Sequence, residues 1–181
     1  VAGTRFAVPM DDANGDVPID SFRENFKGVL SFIGIDQQTG GMDLSFQIEA
    51  PGINFDLSHA GKKKSGDWFF FSCYNSERAN TLLEVNASQN DKDFIVAVNW
   101  KKAEEYAKSG KGVTKSVRYA HNTYDESTHS ATTKWETEAI MLDPKVLKDF
   151  VYLIPCPKSP HGCDVNPTGE YIVGSGKLAA I

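Results

Sequence analysis

Apolar and polar positions along this chain follow the two-residue period of β-strands far more than the helical period. Met42-Asp43-Leu44-Ser45-Phe46-Gln47-Ile48 alternates cleanly, and Ile53-Asn54-Phe55-Asp56-Leu57 alternates again after a Pro51-Gly52 break. Phe26 to Ile35 predicts a strand, which Thr39-Gly40-Gly41 turns back onto the Met42 run. Gly3 to Val8 is a short β-rich run closed by Pro9, and the polar segment from Asp11 to Asp20, with Asn14-Gly15 and Pro18, is a loop. Asp67 to Cys73 is apolar on both faces, as an inner strand would be, and Phe94 to Trp100 is a second buried strand. Thr81 to Asn90 is polar and irregular. Lys101 to Ser109 is the predicted helix: Ala103, Tyr106 and Ala107 share a face, and Gly110 stops it. Val113 to Tyr119 is a weak strand. Ala120 to Lys134, rich in Thr, Ser, His and Asn without periodicity, predicts a long exposed loop excursion. Glu138 to Leu142 and Phe150 to Ile154 return to β.

About eight to ten short strands joined by polar turns indicate an all-β sandwich, barrel or propeller. Two details favour the propeller. The hairpin over 26–48 suits the middle strands of a blade, and Asn166-Pro167-Thr168-Gly169 followed by Glu170-Tyr171-Ile172-Val173-Gly174 has the turn-then-apolar form that leads into an inner blade strand. The expectation is an all-β partial β-propeller of about two to three blades, with one short helix and the long loop excursion. So few strands cannot close a ring, and no strict internal repeat is present.

Composition narrows the partners. The chain has 181 residues, of which 40% are hydrophobic and 11% aromatic, enough for a real core. A net charge of −5 argues against nucleic acid. Lys62-Lys63-Lys64 before Ser65-Gly66 reads as a solvated loop rather than an anion site. No apolar run approaches the roughly 20 residues that span a bilayer. The chain opens on Val1 and closes on Ala179-Ala180-Ile181, which reads as a processed or excised piece and leaves its location open. Cys73, Cys156 and Cys163 make no CxxC; three buried thiols and a Cys156–Cys163 bridge are both compatible with the spacing.

Four histidines are the candidates for chemistry. His59 sits ahead of the lysines and reads as a loop residue, while His121 and His129 fall in the polar excursion and read as surface residues. His161 differs because it is clamped between Pro160 and Gly162. Proline fixes φ and biases Ser159 towards extended backbone, and glycine permits a sharp change of direction, so the frame aims an imidazole. Imidazole suits copper, zinc, iron and nickel, yet a metal site needs three or four converging ligands. Glu77 and Asp91 offer hard oxygen suited to calcium, without the EF-hand spacing, and equally suit exposed loops. Asn86-Ala87-Ser88 fits a glycosylation sequon. No phosphate-binding glycine loop or nucleophile elbow is present.

The run from Pro157 to Leu178, with its Pro160-His161-Gly162 and Gly176-Lys177-Leu178, resembles nitrous oxide reductase. Ser72 to Glu77, with Thr81-Leu82 and Asp91 downstream, is similar to the same family. The two runs cover most of residues 67–181, and the hairpins from Gly3 to Leu57 fit the preceding part more loosely. The long excursion points to the branch exported by the general secretion route.

The resemblance implies a periplasmic denitrification enzyme that reduces nitrous oxide to dinitrogen and water. It implies a seven-bladed propeller followed by a cupredoxin domain and assembled as a head-to-tail homodimer. A four-copper sulfide cluster is held by histidines of several blades. A two-copper centre in the cupredoxin domain, outside this chain, takes electrons from a c-type cytochrome or cupredoxin. His161 matches the Pro-His-Gly cluster ligand. The family's calcium site maps onto the carbonyl of Tyr74, the carboxylate of Glu77, the carbonyl of Val85 (a methionine in the family), Asp91 and Ser159, where the family has asparagine. The paired-histidine and cysteine-rich motifs of the family are absent. Residues 1–181 therefore resemble an internal fragment of the catalytic propeller domain, inactive alone. The alternative is a non-catalytic propeller-type binding module with a structural Pro-His-Gly turn.

Overall fold

The computed structural model describes residues 6–7, 10–11, 27–38, 40–51, 54–74, 93–156 and 159–176. Twelve strands and one α-helix are found there. The first sheet is built on the hairpin of β3 (Lys27–Ile35) and β4 (Met42–Pro51), with β1 (Phe6–Ala7) and β2 (Met10–Asp11) pairing β3 on its free side. Gly40 turns this hairpin at φ +73°, a left-handed conformation that glycine adopts without a steric penalty. Two longer strands, β8 (Val113–Asp125) and β9 (Ser130–Leu142), extend the sheet through a parallel pairing of β4 with β9.

The second sheet has four antiparallel strands in the order β10 (Val151–Pro155), β7 (Phe94–Asn99), β6 (Trp68–Tyr74), β5 (Asn54–Ala60). The two inner strands are those whose sequence is apolar on both faces. Phe69, Phe71, Cys73, Val96 and Val98 enter a core shared with Leu30, Phe32, Phe46, Ile48 and Leu142 of the first sheet. Phe70, Ile95 and Ala97 point the other way, onto Cys163 and Val165. Those residues belong to β11 (Pro160–Val165), which forms a hairpin with β12 (Ile172–Gly176) laid across the second sheet. Among the described residues, none of the three sheets closes on itself.

The helix lies where the pattern puts it. α1 (Trp100–Lys108) starts at Asn99, whose side chain accepts the Lys102 N–H at 3.0 Å, and Gly110 follows its end at φ +71°. Ala103 and Ala107 are buried, with Tyr106 beside them. Among the described residues no helix is long and apolar enough to cross a membrane.

Four expectations change. The excursion over 120–134 is a paired hairpin, with Asn122↔Thr133, Thr123↔Thr132 and Asp125↔Ser130 in register. Residues 125–133 are exposed, so no buried face imposed an alternation to read. Asp125 ties its tip, accepting the N–H groups of Ser127 and Thr128 and the Ser127 hydroxyl, and these bonds hold its carboxyl below the usual range. The lysine loop is not free in solvent: it carries a turn of 3₁₀ helix (Lys63–Ser65) and docks on the 166–170 turn. His59 lies on β5, not in a loop. Finally, β12 is not an inner strand among the described residues; it pairs with β11, and Val173 is 62% exposed.

Candidate metal site around His161

His161 occupies a β-bulge. Pro160 pairs with Gly176 and Gly162 with the next residue back, Ser175, so His161 is the extra residue of β11. Such bulges bend the strand and re-aim a side chain. Pro160, Gly162, Cys163 and Val165 are buried, while His161 and Asp164 face solvent. Gly162 fits because a Cβ there would already press on Leu57 Cδ1 at 3.2 Å.

The bulge is fixed from beneath and from upstream. Beneath it, Ser72 on β6 is fully buried, and its hydroxyl donates to the His161 carbonyl at 3.0 Å. The same oxygen accepts the Leu57 N–H at 3.1 Å. That N–H lies in a second bulge, where Asp56 and Leu57 together oppose Ser72 across the β5–β6 ladder. One hydroxyl thus stitches two bulges together.

Upstream, Ser159 is fully buried at φ +57°, a left-handed conformation uncommon outside glycine and asparagine and not the extended backbone expected of a residue before proline; the burial of Ser159 and the hydrogen bond of its N–H override that local preference. Its N–H donates to Asp93 Oδ2 at 2.8 Å. Asp93 is only 2% exposed, and its main-chain carbonyl also accepts the Cys156 N–H at 3.1 Å. Neither Ser72 nor Asp93 was singled out from sequence. Ser72 did lie inside the run resembling the family, and Asp93 is a charge directly before a buried strand.

Downstream, Asn166 caps the turn between β11 and β12: its Oδ1 accepts the N–H groups of Glu170 (2.9 Å) and Tyr171 (3.1 Å). Gly169 at φ +76° lies so close to the lysine loop that a Cβ would sit 1.7 Å from the Lys62 carbonyl oxygen. Lys62 Nζ donates to the Val165 carbonyl at 3.1 Å, and Lys64 pairs with Glu170. The Lys64 ammonium first, and the Thr168 hydroxyl second, hold the Glu170 carboxyl below its usual range.

The other titratable groups serve the frame. His59 Nε2 lies 3.1 Å from Asp164 Oδ1 and its Nδ1 2.9 Å from the Ala60 carbonyl, tying β5 to β11. His121 is on β8 and His129 is in the exposed β8–β9 tip. All three cysteines are free thiols. Burial, followed by the charge of Asp164, pushes the Cys163 thiol up to about 11, and burial and Asp93 push Cys156 up as well. Both stay protonated at neutral pH, the form that does not ligate metal. Among the described residues, no group of three or more His, Cys, Asp or Glu side chains is arranged to hold a metal.

Of the six residues carried over from the family, three fall on the described structure. His161 is exposed on β11, Ser159 is buried two residues upstream, and Tyr74 ends β6 with its backbone paired to Asn54. Glu77, Val85 and Asp91 lie outside the described residues.

No family model matches the chain. It is 31% identical over 140 residues to the nitrous-oxide reductase of Pseudomonas fluorescens, covering 76% of this chain and 18% of that protein. It is 28% identical over 149 residues to the nitrous-oxide reductase of Stutzerimonas stutzeri, covering 80% of this chain and 19% of that protein. The chain thus spans less than a fifth of the length of these curated relatives, and over that span it is related in sequence to nitrous-oxide reductases.

Proposed function

We propose that residues 1–181 are an internal part of the catalytic β-propeller of a periplasmic, copper-dependent nitrous-oxide reductase, and that His161 is a copper ligand of its active site. The second sheet supports the propeller reading, being four-stranded, antiparallel and covered on both faces. The observation that carries the ligand assignment is the bulge: a solvent-facing imidazole whose backbone is held by the buried Ser72 and whose approach is held by the buried Asp93. A ligand so placed serves a centre whose other ligands come from elsewhere in a longer protein, in keeping with the small share of the relatives that the chain spans.

The donor chemistry fits. Neutral imidazole suits copper, while the two protonated thiols near β11 do not compete for it. Tyr74 and Ser159 offer hard carbonyl and hydroxyl oxygen suited to calcium, and Glu77, Val85 and Asp91 complete the proposed set. When bound, a four-copper sulfide cluster would supply the electrons that reduce nitrous oxide to dinitrogen and water. This chain's own contribution is to hold the His161 backbone in a bulge that turns its ring to the solvent-facing side of β11. The cupredoxin domain, the head-to-tail homodimer and a c-type cytochrome or cupredoxin donor belong to the same proposal. Copper content of the full-length protein tests it: His161→Ala should lower copper per chain and change the cluster absorption. Wild-type copper and an unchanged spectrum in that variant would remove His161 from the site.

A further inference from the structure

We propose that Cys156 and Cys163 are a redox-active pair that closes into a disulfide, stapling the end of β10 to β11 across the segment that carries His161. The inference goes beyond the copper reading and rests on it only for the oxidising surroundings that a periplasmic chain meets.

The two thiols converge from different elements. Cys163 is buried on β11, in a cluster with Phe70, Ile95 and Ala97 of the second sheet. Cys156 directly follows β10 and packs against the same cluster. What lies between them is a glycine. Gly174 on β12 is the cross-strand partner of Cys163. The Cys156 sulfur fills the place of its missing side chain: a Cβ at 174 would stand 2.9 Å from Cys156 Sγ and 3.1 Å from Ile95 Cδ1. Directly opposed residues of antiparallel strands share a face, with Cβ atoms about 4.5–5.5 Å apart. The Cys156 sulfur therefore stands about one cross-strand step from Cys163, on the same face and against the same Ile95. A turn of the side chain and an S–S bond of about 2 Å close a gap of that size. The charges are coupled as well: burial, Asp164 and, after them, Cys156 raise the Cys163 thiol. Cys73 takes no part, because it enters the core on the opposite face of the second sheet.

The electrons go to a disulfide donor such as oxidised glutathione. Cys156 is the less buried of the two and reacts first. Its S–H proton leaves to solvent, its sulfur attacks a donor sulfur, and the donor S–S bond breaks, releasing one thiol and leaving a mixed disulfide. Cys163 then gives up its proton and displaces the second donor thiol, forming the Cys156–Cys163 bond. Two cysteine S–H bonds and one donor S–S bond are exchanged for one protein S–S bond and two donor thiols. Burial shields Cys163 from outside reagents, so it reacts with the sulfur that its neighbour brings. The closed ring contains His161, whose segment is then tied at both ends by a covalent bond. It also withdraws two soft sulfur donors, which as thiolates bind copper(I), from beside the proposed ligand.

The experiment incubates the reduced full-length protein with oxidised glutathione, blocks the remaining thiols under denaturing conditions and digests with trypsin in the absence of reductant. Cleavage after Lys158 separates Cys156 from Cys163, so only a disulfide keeps their peptides joined. Mass spectrometry should find the joined pair, with Cys73 blocked. Cys163→Ser should stop at a mixed disulfide on Cys156, and Cys156→Ser should leave Cys163 free of glutathione, an asymmetry that indiscriminate oxidation would not give. Gly174→Ala, which puts a methyl group where the Cys156 sulfur sits, should lose most of the joined pair. Wild-type protein without the joined peptides, or with glutathione left on Cys156 and Cys163 unreacted, overturns the pair and leaves the His161 reading in place. Joined peptides from a protein that binds no copper uphold the pair and overturn the copper reading instead.

Discussion

Replacing Ser72 with alanine tests how the His161 bulge is held. The hydroxyl meets three backbone groups: it accepts the Leu57 N–H at 3.1 Å and donates to the His161 carbonyl at 3.0 Å, with the Leu57 carbonyl a longer alternative acceptor at 3.4 Å. A buried backbone group left without a partner costs about 1–3 kcal/mol. The Leu57 side chain is 46% exposed, so water reaches that edge of the bulge and takes part of the loss. The carbonyl keeps a second lone pair. The balance is a destabilisation of about 2 kcal/mol, at the lower end of the sum for two such groups. For a chain of this size each kcal/mol moves the midpoint by about 2–4 °C, so Tm should fall by roughly 4–8 °C. Urea unfolding is the assay, with an unchanged slope, because little buried surface is lost. Ser72→Ala within about 0.5 kcal/mol of wild type, the range of an ordinary surface substitution, would refute the claim that this hydroxyl joins the two bulges.

Other consequences follow from the same frame. Gly169→Ala should destabilise by about 2 kcal/mol or more in equilibrium unfolding, because its Cβ would strike the Lys62 carbonyl at φ +76°; a neutral effect would mean the lysine loop is not docked there. Glu170 has its carboxyl depressed below the ordinary 4.5 by Lys64, so its contribution to stability is present above that value and is lost as pH falls through the lower folded value. An NMR titration placing Glu170 at or above 4.5 would contradict the pairing. Cys163 should resist alkylation in the folded chain at pH 8, since burial holds its thiol near 11, and labelling as fast as a free cysteine would show the β11–β12 hairpin does not cover it.

How far the sequence reaches depends on whether a buried face imposed a pattern. β6 and β7 were legible because Phe69, Phe70, Phe71, Ile95 and Val96 are apolar on both faces, and both faces are buried. The helix was legible from Ala103, Tyr106 and Ala107 and its Gly110 stop. The β8–β9 hairpin was not, since residues 125–133 around its tip are exposed and leave register without a hydrophobic signature. The docking of the lysine loop was hidden because it joins segments about a hundred residues apart in sequence, as Lys62 to Val165 does. His161 could be picked from its proline and glycine neighbours, whose backbone preferences are local. Asp93 and Ser72 could not, because what distinguishes them is a hydrogen bond to a distant backbone group.

The central claim is that the His161 imidazole ligates copper in the longer protein. Anomalous diffraction at the copper edge from crystals of that protein tests it directly. The account predicts a copper peak at bonding distance from a His161 ring nitrogen, with Ser72 still bonded to the carbonyl of the same residue. A ring that meets only protein or solvent, with the copper peaks elsewhere, would contradict it.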